Sequence, residues 1–404
     1  MKIGVIGGGA AGFFSAITCA DTNPHAKVSI FEKSNKLLSK VKVSGGGRCN
    51  VTNATFHNSE LIKSYPRGGR FLKKCFNQFS SSDTVNWFEE RGVQLKTEPD
   101  NRMFPKSNSS QTIIDCFLQQ AKSKNICIEK DSAILKIVRK ENGFELHTSK
   151  ERIFVDRVII ASGGSPKREG LKWLEELGHD IVAPVPSLFT FKIPNDPITS
   201  LMGVSLEKAI IKIQGTKLQE KGPLLITHWG LSGPAILKLS AWGARTLHDF
   251  NYNFKISVNW TVLETEEKVR EMVLYYASDK KKLSNTKIGE LPSRVWDYIL
   301  GKVSLIDKRW VDLSKKDYNR LINTLYNDTY SVDGKTTFKE EFVTCGGVDL
   351  STVQSQNLMS KIHTGLYFCG EILDIDGITG GFNFQAAWTT GYIAGKNAAL
   401  NFDS

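Results

Sequence analysis

"KIGVIGGGAAGFFSAITCADTNPHAKVSIFEK", residues 2–33, decides the fold of this 404-residue chain. A short apolar run, Ile3 to Ile6, leads into Gly7, Gly9 and Gly12 in G-x-G-x-x-G spacing. A helical pattern follows and stops near Asn23-Pro24, and a second apolar run ends in Glu32, twenty residues past Gly12. Each part has a mechanical task in a dinucleotide site. Gly7 makes the tight turn, Gly9 lets a pyrophosphate lie on the backbone, and Gly12 allows close packing of helix on strand. The helix N-terminus faces the phosphates and Glu32 accepts hydrogen bonds from a ribose. Gly8, Ala10 and Ala11 complete the loop, and Lys33 follows the acid. A free carboxylate there favours an unphosphorylated ribose, which FAD and NAD both carry and NADP does not.

Two later stretches decide between FAD and NAD. "DRVIIASGGSP" (156–166) is an apolar strand broken at Ala161, Ser162, Gly163 and Gly164, just before the helical pattern "EGLKWLEELGH". Near the C-terminus a buried-looking strand, Leu366 to Cys369, runs into Gly370 and Glu371. The chain then passes Asp376, Gly377, Gly380 and Gly381 and enters a helix at Asn383, Phe384 and Gln385. Ala387, Gly391, Ala394 and Ala398 recur there at helical spacing, a small-residue face for close packing. Clamping a cofactor between first and last segments is the habit of the two-dinucleotide-binding flavoproteins, which the chain resembles. That resemblance implies FAD, with Glu371 on the ribityl chain and the backbone at Asn383 to Gln385 facing the flavin N1–C2=O edge.

A narrower resemblance rests on "SGGGRCNVTN", "GHDIVAPVPSL", "THWGLSGPA", "FVTCGGVDL" and "GLYFCGEILDIDGITGGFNFQAAWTTGYIAG". These are similar to the BaiN/RdsA-type NAD(P)/FAD-dependent oxidoreductases, also labelled aminoacetone-oxidase-like flavoproteins, from residue 3 to about residue 397. The resemblance implies an α/β protein with a discontinuous Rossmann-like FAD domain at 1–186 and 339–404. Between its halves it implies an inserted domain at 187–338, β-rich over 187–261 and 315–338, with a helical lobe at 262–314. It implies no single substrate.

"VKVSGGGRCNVTN" (41–53) is a second glycine loop. In that class the loop after the acid-tipped strand lies along the pyrophosphate and reaches the flavin. Gly45, Gly46 and Gly47 admit the ring edge, with Ser44 and backbone N–H groups beside it. Lys40, Lys42 or Arg48 would neutralise phosphate or steady a reduced flavin, and Cys49 and Asn50 would lie close to the ring. Cys49 has no partner a few residues away for a redox disulfide, so a shape-filling contact weighs against a catalytic thiol.

The middle of the chain reads as strands, "LFTFKIPN", "VSLEKAIIKIQG", "KLQEKGPLLITHWG" and "YNFKISVNWT", joined by turns. "ETEEKVREMVLYYASDKKK", "IGELPSRVWDYILGKV" and "SKKDYNRLINTLYN" read as helices. His228 in "THWGLSGPA" is the candidate proton donor or anion ligand, set against the plainer reading that Thr227, His228 and Ser232 fasten a turn. Pro234 stands where a G-x-S-x-G elbow needs glycine, which disfavours Ser232 as a nucleophile. Arg102 and Lys106 around Phe104 read as a solvated hairpin.

Composition sets outer limits. Seven cysteines without a CxxC pair argue against a disulfide framework and a zinc knuckle, and for a reducing, cytoplasmic setting. No run reaches the roughly 18 apolar residues of a membrane helix, and five glycines in the first twenty residues make a poor signal helix. Net charge is +11, but the basic residues are spread rather than striped, which disfavours nucleic acid as partner. No metal site is expected. The reading is an FAD-dependent oxidoreductase passing hydride between NAD(P)H and a small organic substrate. Its rivals are a flavin oxidase, a tRNA-modifying flavoprotein and a non-catalytic FAD-binding protein. A second G-x-G-x-x-G is missing, so NAD(P)H would visit only transiently.

Overall fold

The computed structural model describes residues 1–336 and 343–400. The chain divides into two compact units, Met1–Ser187 with Phe338–Ser404, and Leu188–Thr337. The expected boundary at 338/339 lies outside the described residues.

The first unit is built on a parallel sheet. Its strands are β1 (Lys2–Ile6), β2 (Lys27–Phe31), β3 (Cys127–Glu129), β4 (Arg157–Ile160) and β5 (Leu366–Phe368), in the order β5-β4-β1-β2-β3. Ile3, Val5, Val158, Ile159, Ile160, Leu366 and Phe368 are fully buried. Such near-continuous apolar runs belong to strands covered on both faces. Helix α1 (Ala10–Thr22) follows β1, and α2 (Phe382–Ala399) follows β5.

α1 and α2 pack backbone to backbone. A side chain on Gly391 would come within 2.9 Å of the Ala11 carbonyl, and one on Gly395 would collide with the Ser15 carbonyl. Cys19 Sγ donates to the Gly395 carbonyl at 3.1 Å. The small-residue face read from the sequence is therefore a helix–helix seam, with Gly395 as its tightest point. Trp388, Phe14, Phe117 and Trp87 fill the space behind it; burying each such ring stabilises by about 2–3 kcal/mol.

Three smaller elements complete this unit. A meander, Lys136–Lys140, Gly143–His147 and Arg152–Val155, precedes β4. The strands Thr52–Asn53, Arg102–Pro105 and Leu95–Thr97 pair beside the second glycine loop. Ile181–Ser187 pairs antiparallel with Val343–Val348.

The second unit carries a seven-stranded antiparallel sheet. Its long strands are Ser205–Ile213, Gln219–Thr227 and Asn253–Asn259, with Asp328–Asp333 at one edge. Helices Glu266–Leu274 and Ser293–Lys302 form the lobe. Two corrections apply to the expected layout. Residues 315–327, assigned to the β-rich part, form a helix whose apolar stripe Leu321, Ile322 and Leu325 is fully buried. Pro234–Trp242 and Ala244–Asp249 are also helices, within the segment expected to be β-rich.

Candidate active site

The first glycine loop is shaped by close backbone contacts. A Cβ on Gly7 would strike the Ala161 carbonyl, and one on Gly12 would strike the Gly7 carbonyl. Gly9 is different: a Cβ there meets nothing within 4 Å, and its φ of −96° suits any residue. Gly9 is the N-cap of α1, no side chain caps the helix, and no acid lies in its first turn. The first intrahelical bond is Phe13 N–H to the Gly9 carbonyl, so the N–H groups of Ala10, Ala11 and Gly12 lack helical acceptors. Glu32 accepts from Gly8 N–H at 2.8 Å and from Ser34 N–H at 3.0 Å, which fixes it and leaves lone pairs for a ribose. Lys33 points to solvent.

The triple glycine answers its own question in dihedral angles. Gly45, Gly46 and Gly47 stand at φ +59°, +68° and +82°, and Cys49 follows at +60°. Three successive left-handed residues are open only to glycine without strain. Gly45 lies against the Phe104 ring, where a Cβ would come within 2.9 Å, whereas Gly46 and Gly47 have nothing within 4 Å. Ser44 closes the turn by accepting from Arg48 and Cys49 N–H. Arg48 is committed to protein: it donates to Glu98 at 2.6 Å and lies 4.0 Å over the Phe104 ring. Lys42 contributes its carbonyl, which accepts from Ser110 Oγ at 2.8 Å. Burial pushes the Cys49 thiol up to about 12, against a smaller pull from Ser44. It is a neutral, packed thiol at physiological pH.

The carboxyl ends of β4 and β5 bring the late residues in. Ser162 is exposed and Gly163 stands at φ +75° with nothing within 4 Å. Glu371 accepts from Lys40 Nζ at 2.5 Å and from Thr344 N–H at 2.8 Å, joining two predicted residues 331 positions apart. Gly164 lies directly over this pair: a Cβ there would sit 2.8 Å from Glu371 Oε1. Gly370, at φ +77°, donates its N–H to Thr390 Oγ1 at 2.8 Å.

The start of α2 repeats the pattern of α1. Gly381 is its N-cap at φ +94°, again without a side-chain cap. The first intrahelical bond is Gln385 N–H to the Gly381 carbonyl, leaving the N–H groups of residues 382–384 without helical acceptors. With its amide turned to satisfy its neighbours, Asn50 accepts from Gly381 N–H at 2.9 Å and donates to the Thr52 carbonyl. Asn383 bonds both the N–H and the carbonyl of Gly377. Tyr65 OH donates to the Phe382 carbonyl at 2.7 Å, and Phe384 stacks on Trp388.

The side chains of Gln385 and Asp376 are bonded within the protein. The Gln385 side chain is buried, accepting from Thr52 and Thr84 hydroxyls at 2.6 and 2.9 Å and donating to Thr389. Asp376 is fully buried and gripped by Arg67, whose Nε lies 2.5 Å away and whose Nη2 makes a second bond, with Ser187 Oγ at 2.8 Å. Burial raises the Asp376 carboxyl above its ordinary value, while Arg67 and Ser187 pull it back. Asp376 thus anchors the approach to α2. Sequence reading passed over Arg67, Tyr65 and Thr344.

His228 belongs to the second unit. It is exposed on the two-residue turn between Gln219–Thr227 and Gly230–Ser232, its ring edge-on to Trp229. Thr227 Oγ1 donates to the Gly230 carbonyl at 3.0 Å, which fastens that turn. The helix that follows starts at Pro234, with Gly233 as its N-cap at φ +97°. Among the described residues no cluster of His, Cys, Asp and Glu could hold a metal, and no helix is long and apolar enough to cross a membrane.

Two long helices with bare N-termini, glycines opened toward them and an acid beside each strand end define a dinucleotide-binding flavoprotein fold. At Gly9, Gly46, Gly47 and Gly163 an added Cβ meets nothing within 4 Å, and the residues present fit FAD. The chain belongs to the HI0933-like family: the model of the HI0933-like protein Rossmann domain matches residues 1–397. FAD is its cofactor. It is 27% identical over 420 residues to a 3-dehydro-bile acid delta(4,6)-reductase of Clostridium scindens, covering 98% of this chain and 99% of that one. It is 27% identical over 403 residues to a ribosomal RNA dihydrouridine synthase of Escherichia coli, covering 97% and 96%. In fold alone it is similar to the 3-ketosteroid-delta4-(5alpha)-dehydrogenase of Rhodococcus jostii RHA1, at TM-score 0.52 and 13% identity over 99% of this chain and 97% of that one.

Proposed function

We propose that this FAD-dependent oxidoreductase adds hydrogen across a carbon–carbon double bond conjugated to a carbonyl, with NAD(P)H as electron source. The observation that carries the reading is what two full-length relatives share. A delta(4,6)-reductase and a dihydrouridine synthase, by name, both saturate a ring double bond. When bound, FAD supplies hydride transfer at N5.

The protein's own residues prepare that chemistry. The N–H groups at the start of α2 favour negative charge laid against them, by about 0.3–1 kcal/mol for an exposed helix end. Gly46 and Gly47, at positive φ and with nothing within 4 Å of an added Cβ, leave room for the cofactor to approach the backbone. Tyr65, Asn50 and Asn383 hold the α2 entrance in position. Cys49, a neutral thiol, contributes shape rather than proton transfer. His228 is the candidate for protonating the substrate or binding its anionic group.

A small cyclic enone is the first substrate class. A uridine in RNA is the second, favoured by the net charge of +11 and by two relatives named for ribosomal RNA. The test is anaerobic reduction of the protein, then mixing with a 3-oxo-4-ene steroid or with uridine-rich RNA. Reoxidation by either acceptor supports the proposal and selects the class. Reoxidation only by O₂ would favour an oxidase and sink it.

A further inference from the structure

Thr344 is fully buried on the strand Val343–Val348, and its hydroxyl has no hydrogen-bond partner among the described residues. A buried hydroxyl left alone carries its desolvation penalty without the compensating bond. Its surroundings are specific. The backbone N–H of Thr344 donates to Glu371 Oε1 at 2.8 Å, so hydroxyl and carboxylate stand side by side. Gly164 presses on both: a Cβ there would collide with Thr344 Oγ1 and stand 2.8 Å from Glu371 Oε1. The other oxygen of Glu371 is held by Lys40 at 2.5 Å. The cluster lies just beyond the carboxyl ends of β4 and β5, where ligands of open α/β sheets bind.

The donor set selects the ligand group. Glu371 accepts only, whereas the Thr344 hydroxyl both donates and accepts. An alcohol satisfies them together, donating to the carboxylate and accepting from the hydroxyl. A phosphate would be repelled by Glu371. We infer that Thr344 Oγ1 is a cofactor-binding group which, with Glu371, holds one hydroxyl of the FAD polyol chain. This rests on the FAD assignment and is independent of which substrate is reduced.

The test is titration of FAD into apoprotein, followed by flavin fluorescence, together with the apoprotein melting temperature. Thr344→Val keeps the shape and removes the hydroxyl. Because the hydroxyl is unpaired in the apoprotein, the variant melts no lower than wild type. It binds FAD about 3- to 10-fold more weakly, the loss of one neutral hydrogen bond. Thr344→Ser restores affinity to within about twofold. In a cycle with Glu371→Gln the two losses are less than additive, since both side chains hold one group. Wild-type affinity in Thr344→Val would overturn the inference, and so would strictly additive losses. A lower apoprotein melting temperature in Thr344→Val that Thr344→Ser restores would assign the hydroxyl to structure and overturn it too. Should Thr344→Val fail to fold, Thr344→Ala carries the same readings. Failure of the wild type to bind FAD would instead sink the cofactor assignment.

Discussion

The helices of this protein begin in two ways. In the first unit, α1 and α2 start at Gly9 and Gly381 with no side chain on their free N–H groups. In the second unit, the helix Lys315–Asn327 starts with a capping box from Ser314 and Asp317, and Glu266–Leu274 is capped by Thr265. Within the first unit the contrast repeats, because Ser81–Glu89 has a capping box and Ser110–Ser123 is capped by Ser109. A bare end is not by itself the mark of a cofactor helix, since Gly69–Phe76, Pro234–Trp242 and Ser293–Lys302 also start without a side-chain cap. What sets α1 and α2 apart is that their bare N–H groups follow β1 and β5 of the parallel sheet, beyond whose carboxyl ends a ligand can satisfy them.

The comparison breaks most severely at Arg67. Arg67→Ala leaves the buried Asp376 carboxylate uncompensated ahead of the α2 N-terminus, costing about 3–5 kcal/mol of stability. Denaturant unfolding measures this, and adding Asp376→Asn restores most of the loss. Gly9→Asp supplies α1 with the cap it lacks. There is space for it, so the apoprotein melts at or slightly above wild type, whereas charge against the pyrophosphate weakens FAD binding by about 100-fold or more. Fluorescence titration and a melt, run together, give these opposite signs. The smallest effect is expected at the self-capped end: Ser314→Ala costs about 1 kcal/mol and leaves FAD affinity unchanged.

Acid sharpens the same contrast. Lys308, and then Ser314, hold the Asp317 carboxyl well below its ordinary value of 3.8. A lowered folded value means that the stabilisation is present above pH 3.8 and is lost as pH falls below it. Asp317→Asn should therefore lower stability at neutral pH and flatten its fall in acid. Glycine caps have no such titration.

What sequence could disclose follows from distance along the chain. The Gly7–Gly12 loop, Glu32 and the triple glycine are local devices, whose spacing alone states their geometry. The acid–glycine–helix order around Glu371 and Gly381 was legible for the same reason. Asp376 and Gln385 were named for their segment, but their partners are Arg67 and Ser187, and Thr52 and Thr84, up to 333 positions away. No periodicity encodes such pairings. Thr344 was invisible because an unpaired hydroxyl is a property of packing. The helix at 315–327 was legible as a segment from its apolar stripe and misplaced only in the domain layout, where strands flank it. The His228 turn shows the limit for chemistry: an exposed imidazole on a tight hairpin has the same sequence whether it serves catalysis or only closes the turn.

The most direct test of the central claim is the visible spectrum of the purified protein, followed by anaerobic addition of NADH and NADPH. An oxidised flavin band is expected, one that a nicotinamide bleaches and that returns when an electron-poor double bond is supplied. A protein that neither carries FAD nor takes it up would contradict the account from Gly7 onward.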